Sequence, residues 1–360
     1  MIYKKKIIIY FPSIEKGGVE RNFYNLLQDK NFIENFDYKI ITFNKHNALE
    51  KYNTKTISVF NTFNTNVRIF KLIFTFFLLI NHANKNTVIL SYQSSLLAVI
   101  AAKIKKSKII VRLNTSPKKY INNYLKKNLF GFFYKNANYV LCNSHAFKKE
   151  LNELFNIKTV YVNNCIDLDN IKKFANKKFS NKFFLNFKGI KILSVGRLVT
   201  QKNYFLALET IKKISKQFNV RYLILGSGKL KNEINYYIKK NNLMNIVKQI
   251  DYKKNPYPYI KNSDIILLTS QYEGLPNILL ESILLKKFFI SSNCPTGPQE
   301  VKKIFPLQGM LFKNLSTSSL NRLLIKVFTK KLYLRTKLYE NKLRKYFGTN
   351  KKLIEILQQT

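Results

Sequence analysis

At 360 residues the chain is too long for one ordinary domain and comfortable for two of roughly 150–200 residues each. An apolar fraction of 46% excludes an intrinsically disordered chain and fits sizeable buried cores. The formal net charge of +44, from 63 basic and 19 acidic residues, would draw the protein to anionic lipid, anionic substrate or nucleic acid. The same wealth of Lys, Asn, Ile, Phe and Tyr is what AT-rich coding gives, and with only eight arginines an Arg-rich nucleic-acid surface is not expected. Cys142, Cys165 and Cys294 are odd in number and scattered, which excludes a disulfide framework or a zinc spacing and points to a reducing cytoplasm.

The chain opens with "MIYKKKIIIYFP", whose apolar run is too short for a signal peptide and is closed by Pro12; it reads as a first strand, Ile7–Phe11. Gly17 and Gly18 follow it at the mouth of a helix. Strands are expected at Tyr38–Phe43 and Thr56–Phe60. The segment "VRIFKLIFTFFLLI" (67–80) falls short of the ~20 residues a membrane span requires, so a buried or membrane-surface helix is expected. Strands Thr87–Tyr92 and Lys108–Leu113 come next. The stretch 118–136, "KKYINNYLKKNLFGFFYKN", holds five lysines and no acid, interleaved with Tyr124, Phe130, Phe132, Phe133 and Tyr134. It reads either as a helix lying on an anionic membrane or as a core-packing helix with a solvated lysine face.

Strands Tyr139–Asn143 and Thr159–Asn163 complete the first half, and the polar stretch from Cys165 to Lys188 reads as a linker. The second half has strands at Lys191–Val195, Arg221–Leu225, Ile246–Ile250, Asp264–Ser270, Phe288–Ser292 and Met310–Phe312. After Asn314 the chain reads as helical to its end, broken at Gly348. Most strands are continuous Ile/Val/Leu/Phe runs, as in sheets buried on both faces, and helices lie between them. The fold class is therefore α/β with parallel sheets. The expected layout is a domain over 1–165, a linker over 166–188, a second domain over 189–340, and a helical tail over 341–360.

Glycine is scarce, yet Gly17, Gly18, Gly196, Gly226, Gly228, Gly274 and Gly297 all follow predicted strands. Ligands of open α/β sheets bind at those strand ends, where glycine lets backbone approach them; tight turns account for some of these positions. In "LSVGRLVTQKNYFLAL", Arg197 and Lys202 flank a loop entering a helix, a pattern that suits a diphosphate. Two ordinary surface cations are the plainer reading. "LILGSGKL" is a fragment of a dinucleotide fingerprint, and no complete one is present, which argues against a redox enzyme. In "SQYEGLPNILLES", a buried strand leads through Glu273 and Gly274 to a helix that Pro276 can start, with Glu281 more than a turn inside it. That is the grammar of a pocket rim.

The ordered set GGVER, GRLVTQKN, LGSGKL, NPYPYI, SQYEGLPNILLES and CPTGPQE resembles the family 4 glycosyltransferases of bacterial glycan synthesis. The match runs from about Ile190 to Glu300, with GGVER in the first half. The resemblance implies the GT-B architecture: two Rossmann-like domains with parallel sheets facing each other across a cleft. It implies a retaining enzyme that moves a hexose or N-acetylhexosamine from a nucleotide-sugar, UDP being the commoner nucleotide, to a surface polysaccharide or lipid-linked glycan. By the same resemblance Arg197 and Lys202 would neutralise the departing diphosphate, Glu273 would face the donor sugar and Glu281 would hold the ribose. Gly196, Gly226 and the backbone of Gly274, Leu275, Pro276 and Asn277 would line the donor site, and Gly17 and Gly18 would close over the diphosphate.

One departure falls after Ile109–Leu113, where many relatives carry a His; this chain reads "VRLNTSP". Arg112, Asn114 and Thr115 are then the acceptor-side candidates, and none of His46, His82 and His145 fits that place. The pair Asp167 and Asp169 has the Asp-x-Asp spacing of a divalent-ion site but lies in the expected linker. No metal or other cofactor is expected, since Arg197 and Lys202 would do a cation's work. The expected partners are a nucleotide-sugar, a glycan or lipid-linked acceptor and an anionic membrane surface on the cytoplasmic side, without specific nucleic acid. A basic nucleic-acid-binding protein on this scaffold, and a sugar-nucleotide-binding pseudoenzyme, remain the alternatives.

Overall fold

The computed structural model describes residues 4–14, 17–44, 49, 55–60, 67–93, 95–114, 121 and 123–360. The chain divides into two compact units, 1–165 with 349–360, and 166–348. Each is built on a parallel sheet.

The first sheet has, among the described residues, seven strands: β1 (Lys5–Tyr10), β2 (Phe36–Asn44), β3 (Lys55–Phe60), β4 (Thr87–Ser91), β5 (Lys108–Leu113), β6 (Tyr139–Cys142) and β7 (Thr159–Tyr161). Their spatial order is β3-β2-β1-β4-β5-β6-β7, and Ile9 on the central β1 sits level with Ile40 on β2 and Leu90 on β4. Successive residues of β1 face opposite layers, as a strand's two-residue period requires. Ile7 and Ile9 pack with the helices Gly18–Leu27 and Lys351–Gln359, while Ile8 and Tyr10 pack under the helices Arg68–His82, Ser95–Lys105, Tyr124–Lys135 and His145–Phe155.

The second sheet comprises β8 (Ile190–Val195), β9 (Val220–Leu225), β10 (Val247–Ile250), β11 (Ile265–Leu268), β12 (Phe288–Ser292) and β13 (Gly309–Phe312), in the order β10-β9-β8-β11-β12-β13. Both sheets are thus doubly wound, with the direction of winding reversing beside the first strand of each. The sequence expectation of α/β architecture with two Rossmann-like domains holds. Every residue of β4, β11 and β12 is buried, which is why these strands read as unbroken apolar runs.

Two expectations need correction. The stretch read as a linker is part of the second unit and carries two short helices, Leu168–Ala175 and Lys182–Leu185. Asp167 and Asn181 cap them through backbone N–H groups of Asn170 and Phe184, and Leu168, Ile171 and Phe184 enter the core. Polar caps around a sparse apolar stripe made these residues look irregular. The tail also divides later than expected. Helix Glu340–Phe347 buries Leu343 and Phe347 in the second unit, and after Gly348 the helix Lys351–Gln359 buries Leu353 and Leu357 in the first.

The apolar 67–80 segment lies in the helix Arg68–His82. Leu79 is buried and Thr75 bonds the Tyr10 hydroxyl at 3.1 Å, while Phe70, Ile73 and Phe77 face solvent. Among the described residues no helix is long and apolar enough to cross a membrane. Of the 118–136 stretch, 118–120 and 122 lie outside the described residues. In the rest, Tyr134 is buried and Phe130 and Phe133 pack on the core, so only part of the aromatic set faces outward.

Candidate active site

β8 and β11 are neighbours in the second sheet although two other strands separate them in sequence, so their carboxyl ends flank the switch point. The loops leaving them are laced together. Gln271 N donates to Gln201 O at 2.8 Å, Gln201 Nε2 to Tyr272 O at 2.9 Å, and Thr269 Oγ1 to Lys202 O at 2.9 Å. A 3-10 turn, Thr200–Lys202, presents Lys202, and Asn203 in the left-handed region redirects the chain into the helix Tyr204–Ile214. Lys202 Nζ lies 2.5 Å from Glu273 Oε1, which also accepts a 2.6 Å bond from Ser270 Oγ. The side chains of Lys202 and Glu273 are only 16% and 11% exposed, and Ser270 is fully buried. A pocket lined by Lys202, Tyr204, Ser194 and Thr269 lies at the same junction.

The backbone of Glu273 is clamped from the other side. Its N–H donates to Pro295 O at 2.6 Å and its carbonyl accepts from Thr296 N at 2.8 Å, while Ser292 Oγ holds Ser270 O at 2.6 Å. The β12 loop therefore fixes the β11 loop. Burial pushes the Cys294 thiol up to about 12 and raises the Tyr204 hydroxyl well above its usual range. Both are neutral near pH 7.

Gly274, Leu275, Pro276 and Asn277 form the buried connection into the helix Asn277–Leu284, all of whose residues are buried. Glu281 is 2% exposed there, more than a turn in, so it is no surface acid. Two glycines are required by close packing. A Cβ on Gly226 would run into the carbonyl oxygen of Gly196, and Gly228, at φ +155°, would bring a Cβ within 2.7 Å of Leu198 N. Gly196 itself leaves room for the Lys202 stem, whose Cε would stand 3.3 Å from a Cβ there. Arg197 is exposed on the same loop.

In the first unit, Gly17 caps the helix Gly18–Leu27 in an extended conformation, with Gly18 exposed and the Glu20 carboxylate folded back to 2.8 Å from where a Gly17 Cβ would stand. Arg112 is 4% exposed at the end of β5. Its guanidinium lies over the Tyr92 ring, 5.5 Å from the centroid, and reaches Asn164 Oδ1 at 3.5 Å. Asn114 follows, half-buried; Thr115 lies outside the described residues. His145 is exposed at the start of its helix and stacks on Tyr161 at 4.1 Å. The Asp-x-Asp carboxylates are engaged locally: Asp167 caps a helix and Asp169 meets Arg344 at 2.9 Å.

The structure thus brings Lys202 and Glu273 together and gathers Gly196, Gly226 and Gly274–Asn277 around them. It adds Ser270, Gln201 and Thr296, which the sequence reading passed over. The one trace of Ser270 in sequence is its place three residues before Glu273.

Residues 175–352 match the family model of the group 1 glycosyl transferases. An uncharacterized glycosyltransferase of Methanocaldococcus jannaschii is 27% identical over 316 residues, 83% of this chain and 71% of that protein. The N-acetylgalactosamine-N,N'-diacetylbacillosaminyl-diphospho-undecaprenol 4-alpha-N-acetylgalactosaminyltransferase of Campylobacter jejuni is 29% identical over 206 residues, 54% of each chain. Among solved structures, Anabaena HepE in complex with UDP-glucose superposes with a TM-score of 0.79 at 15% identity, covering 99% of this chain and 100% of that one. Residues 175–352 thus belong to the group 1, or family 4, glycosyl transferases, a family of retaining hexosyltransferases with the GT-B fold.

Proposed function

We propose that the protein transfers a hexose or N-acetylhexosamine from a UDP-sugar to a lipid-linked glycan or growing surface polysaccharide, with retention of configuration. The observation that carries this reading is the Lys202–Glu273–Ser270 cluster at the carboxyl ends of β8 and β11. The UDP-glucose bound by the HepE structure supports the choice of nucleotide, and the diphospho-undecaprenol acceptor in the Campylobacter enzyme's name supports a lipid-linked glycan.

In this reading Lys202 and Arg197 neutralise the diphosphate as charge develops on the leaving group. An ammonium has three protons, so Lys202 can keep one on Glu273 and turn the others to phosphate. Glu273, steadied by Ser270, faces the sugar carbon where positive charge grows. Glu281 accepts hydrogen bonds from the ribose, and the backbone of Gly274–Asn277 receives the phosphate end. The acceptor's proton passes to a donor phosphate oxygen, so Asn114 or Thr115 in place of the family His leaves the transfer step intact.

A thermal-shift panel of UDP- and GDP-sugars, followed by product analysis with a lipid-diphosphate acceptor, tests this. A donor at 100 times its dissociation constant adds about 2.7 kcal/mol of stability. Stabilisation by a UDP-sugar together with transfer supports the reading. No response to any sugar-nucleotide overturns it, and binding without hydrolysis or transfer makes the protein a pseudoenzyme.

A further inference from the structure

We infer that Tyr204 is a positioning residue for Lys202: its buried phenol bounds the lysine stem, so that the ammonium turns to a nucleoside diphosphate while keeping its place beside Glu273. This rests on the donor-site reading above and adds to it a residue that acts through Lys202. Lys202 and Tyr204 are two residues apart, a spacing whose side chains diverge on a regular helix. Asn203 between them lies in the left-handed region, at φ 47° and ψ 53°, and turns the chain from the 3-10 turn Thr200–Lys202 into the helix Tyr204–Ile214. Asparagine tolerates that conformation better than most residues. Both side chains then converge on Gly196: a Cβ there would stand 3.2 Å from the Tyr204 hydroxyl and 3.3 Å from Lys202 Cε. The room left by the missing Cβ is where phenol and lysine stem meet.

The core has no use for this hydroxyl. The Tyr204 ring belongs to the cluster that holds Leu198, Tyr222 and Leu267, and a phenylalanine ring would fill the same place. Tyr222, equally buried, uses its hydroxyl within the core. It donates to Ser194 Oγ at 2.8 Å, which donates in turn to Leu267 O at 2.6 Å. The Tyr204 hydroxyl end instead meets the pocket that Lys202, Ser194 and Thr269 line. Carrying a hydroxyl to a residue only 2% exposed is costly unless a polar group meets it. Burial first, and then the fields of Tyr222 and Glu273, keep the phenol protonated, so it stands beside Lys202 as a neutral dipole. A second cation there would compete for Glu273, and an anion would repel phosphate; a neutral phenol does neither.

A double-mutant cycle of Tyr204→Phe with Lys202→Ala tests this, read by calorimetric UDP binding and by single-turnover transfer from a UDP-sugar. In the parent background Tyr204→Phe weakens UDP about fivefold and slows transfer about tenfold. Where Lys202→Ala is already present it changes either by less than about twofold, because a residue that acts through Lys202 has nothing left to position. The melting temperature stays at the parent's value, since the ring and its packing remain. Equal losses in the two backgrounds, no loss in the parent, or a fall in melting temperature that accounts for the loss would each overturn the inference. Coupling in UDP binding without transfer to any acceptor supports the inference and overturns the transfer reading. Transfer by the parent without coupling does the reverse, and a parent that binds no UDP overturns both.

Discussion

Lys202 and Glu273, 71 residues apart in sequence, meet at 2.5 Å across the β8–β11 switch point with both side chains largely buried. Taking two charges out of water is costly unless geometry and extra hydrogen bonds compensate, and breaking such a pair leaves one charge exposed to the full penalty. Here Ser270 adds the second bond to the carboxylate, and the laced loops hold both partners in place. The pair presets a cation and a carboxylate where a ligand of this sheet would bind.

The two carboxylates of the motif should separate by function. Glu273→Gln is expected to bind free UDP nearly as the parent does yet to lose ~3–4 kcal/mol of transition-state stabilisation, a slowing of about a hundred- to a thousand-fold. Glu281→Ala should weaken UDP and intact donor together and raise the apparent donor constant. Lys202→Ala should impair both binding and turnover, because it removes a phosphate partner and strands Glu273. Calorimetric UDP binding beside single-turnover transfer distinguishes the three, and full turnover by Glu273→Gln would refute the assignment.

Ser270→Ala probes positioning. The hydroxyl is buried and bonds Glu273 Oε1 at 2.6 Å. A hydrogen bond to a charged group is worth about 1.5–3 kcal/mol, so kcat should fall roughly 10- to 100-fold with the donor KM little changed. A loss of stability with kcat intact would make the serine purely structural.

The parallel strands were legible because burial on both faces leaves an unbroken apolar run, as β4, β11 and β12 show. The glycines and the spacing of Glu273 and Glu281 marked the site's neighbourhood for the same local reasons. What could not be read was contact between distant loops. Nothing near Lys202 announces Glu273, because their meeting depends on which strands are neighbours. The helix Arg68–His82 was hard to read in another way: its apolar residues run all round, so composition hid which of Phe70, Phe76 and Phe77 would face outward. Arg112 read as a candidate for the acceptor side, and only the fold shows its side chain committed to Tyr92 and Asn164.

Gly226→Ala tests the packing of the two glycine turns. Its Cβ would overlap the Gly196 carbonyl, backbone against backbone, where no side chain can yield. A destabilisation of about 1–3 kcal/mol is expected, with UDP affinity reduced because the β8 loop must shift. Gly18→Ala, at an exposed helix start in the first unit, should leave stability within about 0.5 kcal/mol. Equal effects from both would show that the Gly226 contact is relaxed at little cost.

The ion cluster that ties helix Leu168–Ala175 to helix Glu340–Phe347 should make stability depend on pH in acid. Hydrogen bonds from Arg344 hold the Asp169 carboxyl below the usual range, and bonds from Lys172 and then Arg344 do the same for Glu340. Both carboxylates titrate lower when folded than when unfolded. Their contribution is therefore present above the unfolded value of about 4 and is lost as pH falls through the folded value. Asp169 and Arg344 are exposed and Glu340 is half-buried, so solvent screening keeps the effect small. Arg344→Met should lower Tm at pH 7 by a few degrees at most, and the gap to the parent should close in acid, well below the unfolded value of about 4. Melting curves at pH 7 and in acid check this; a gap that persists in acid would mean that the apolar stem of Arg344 matters more than its charge.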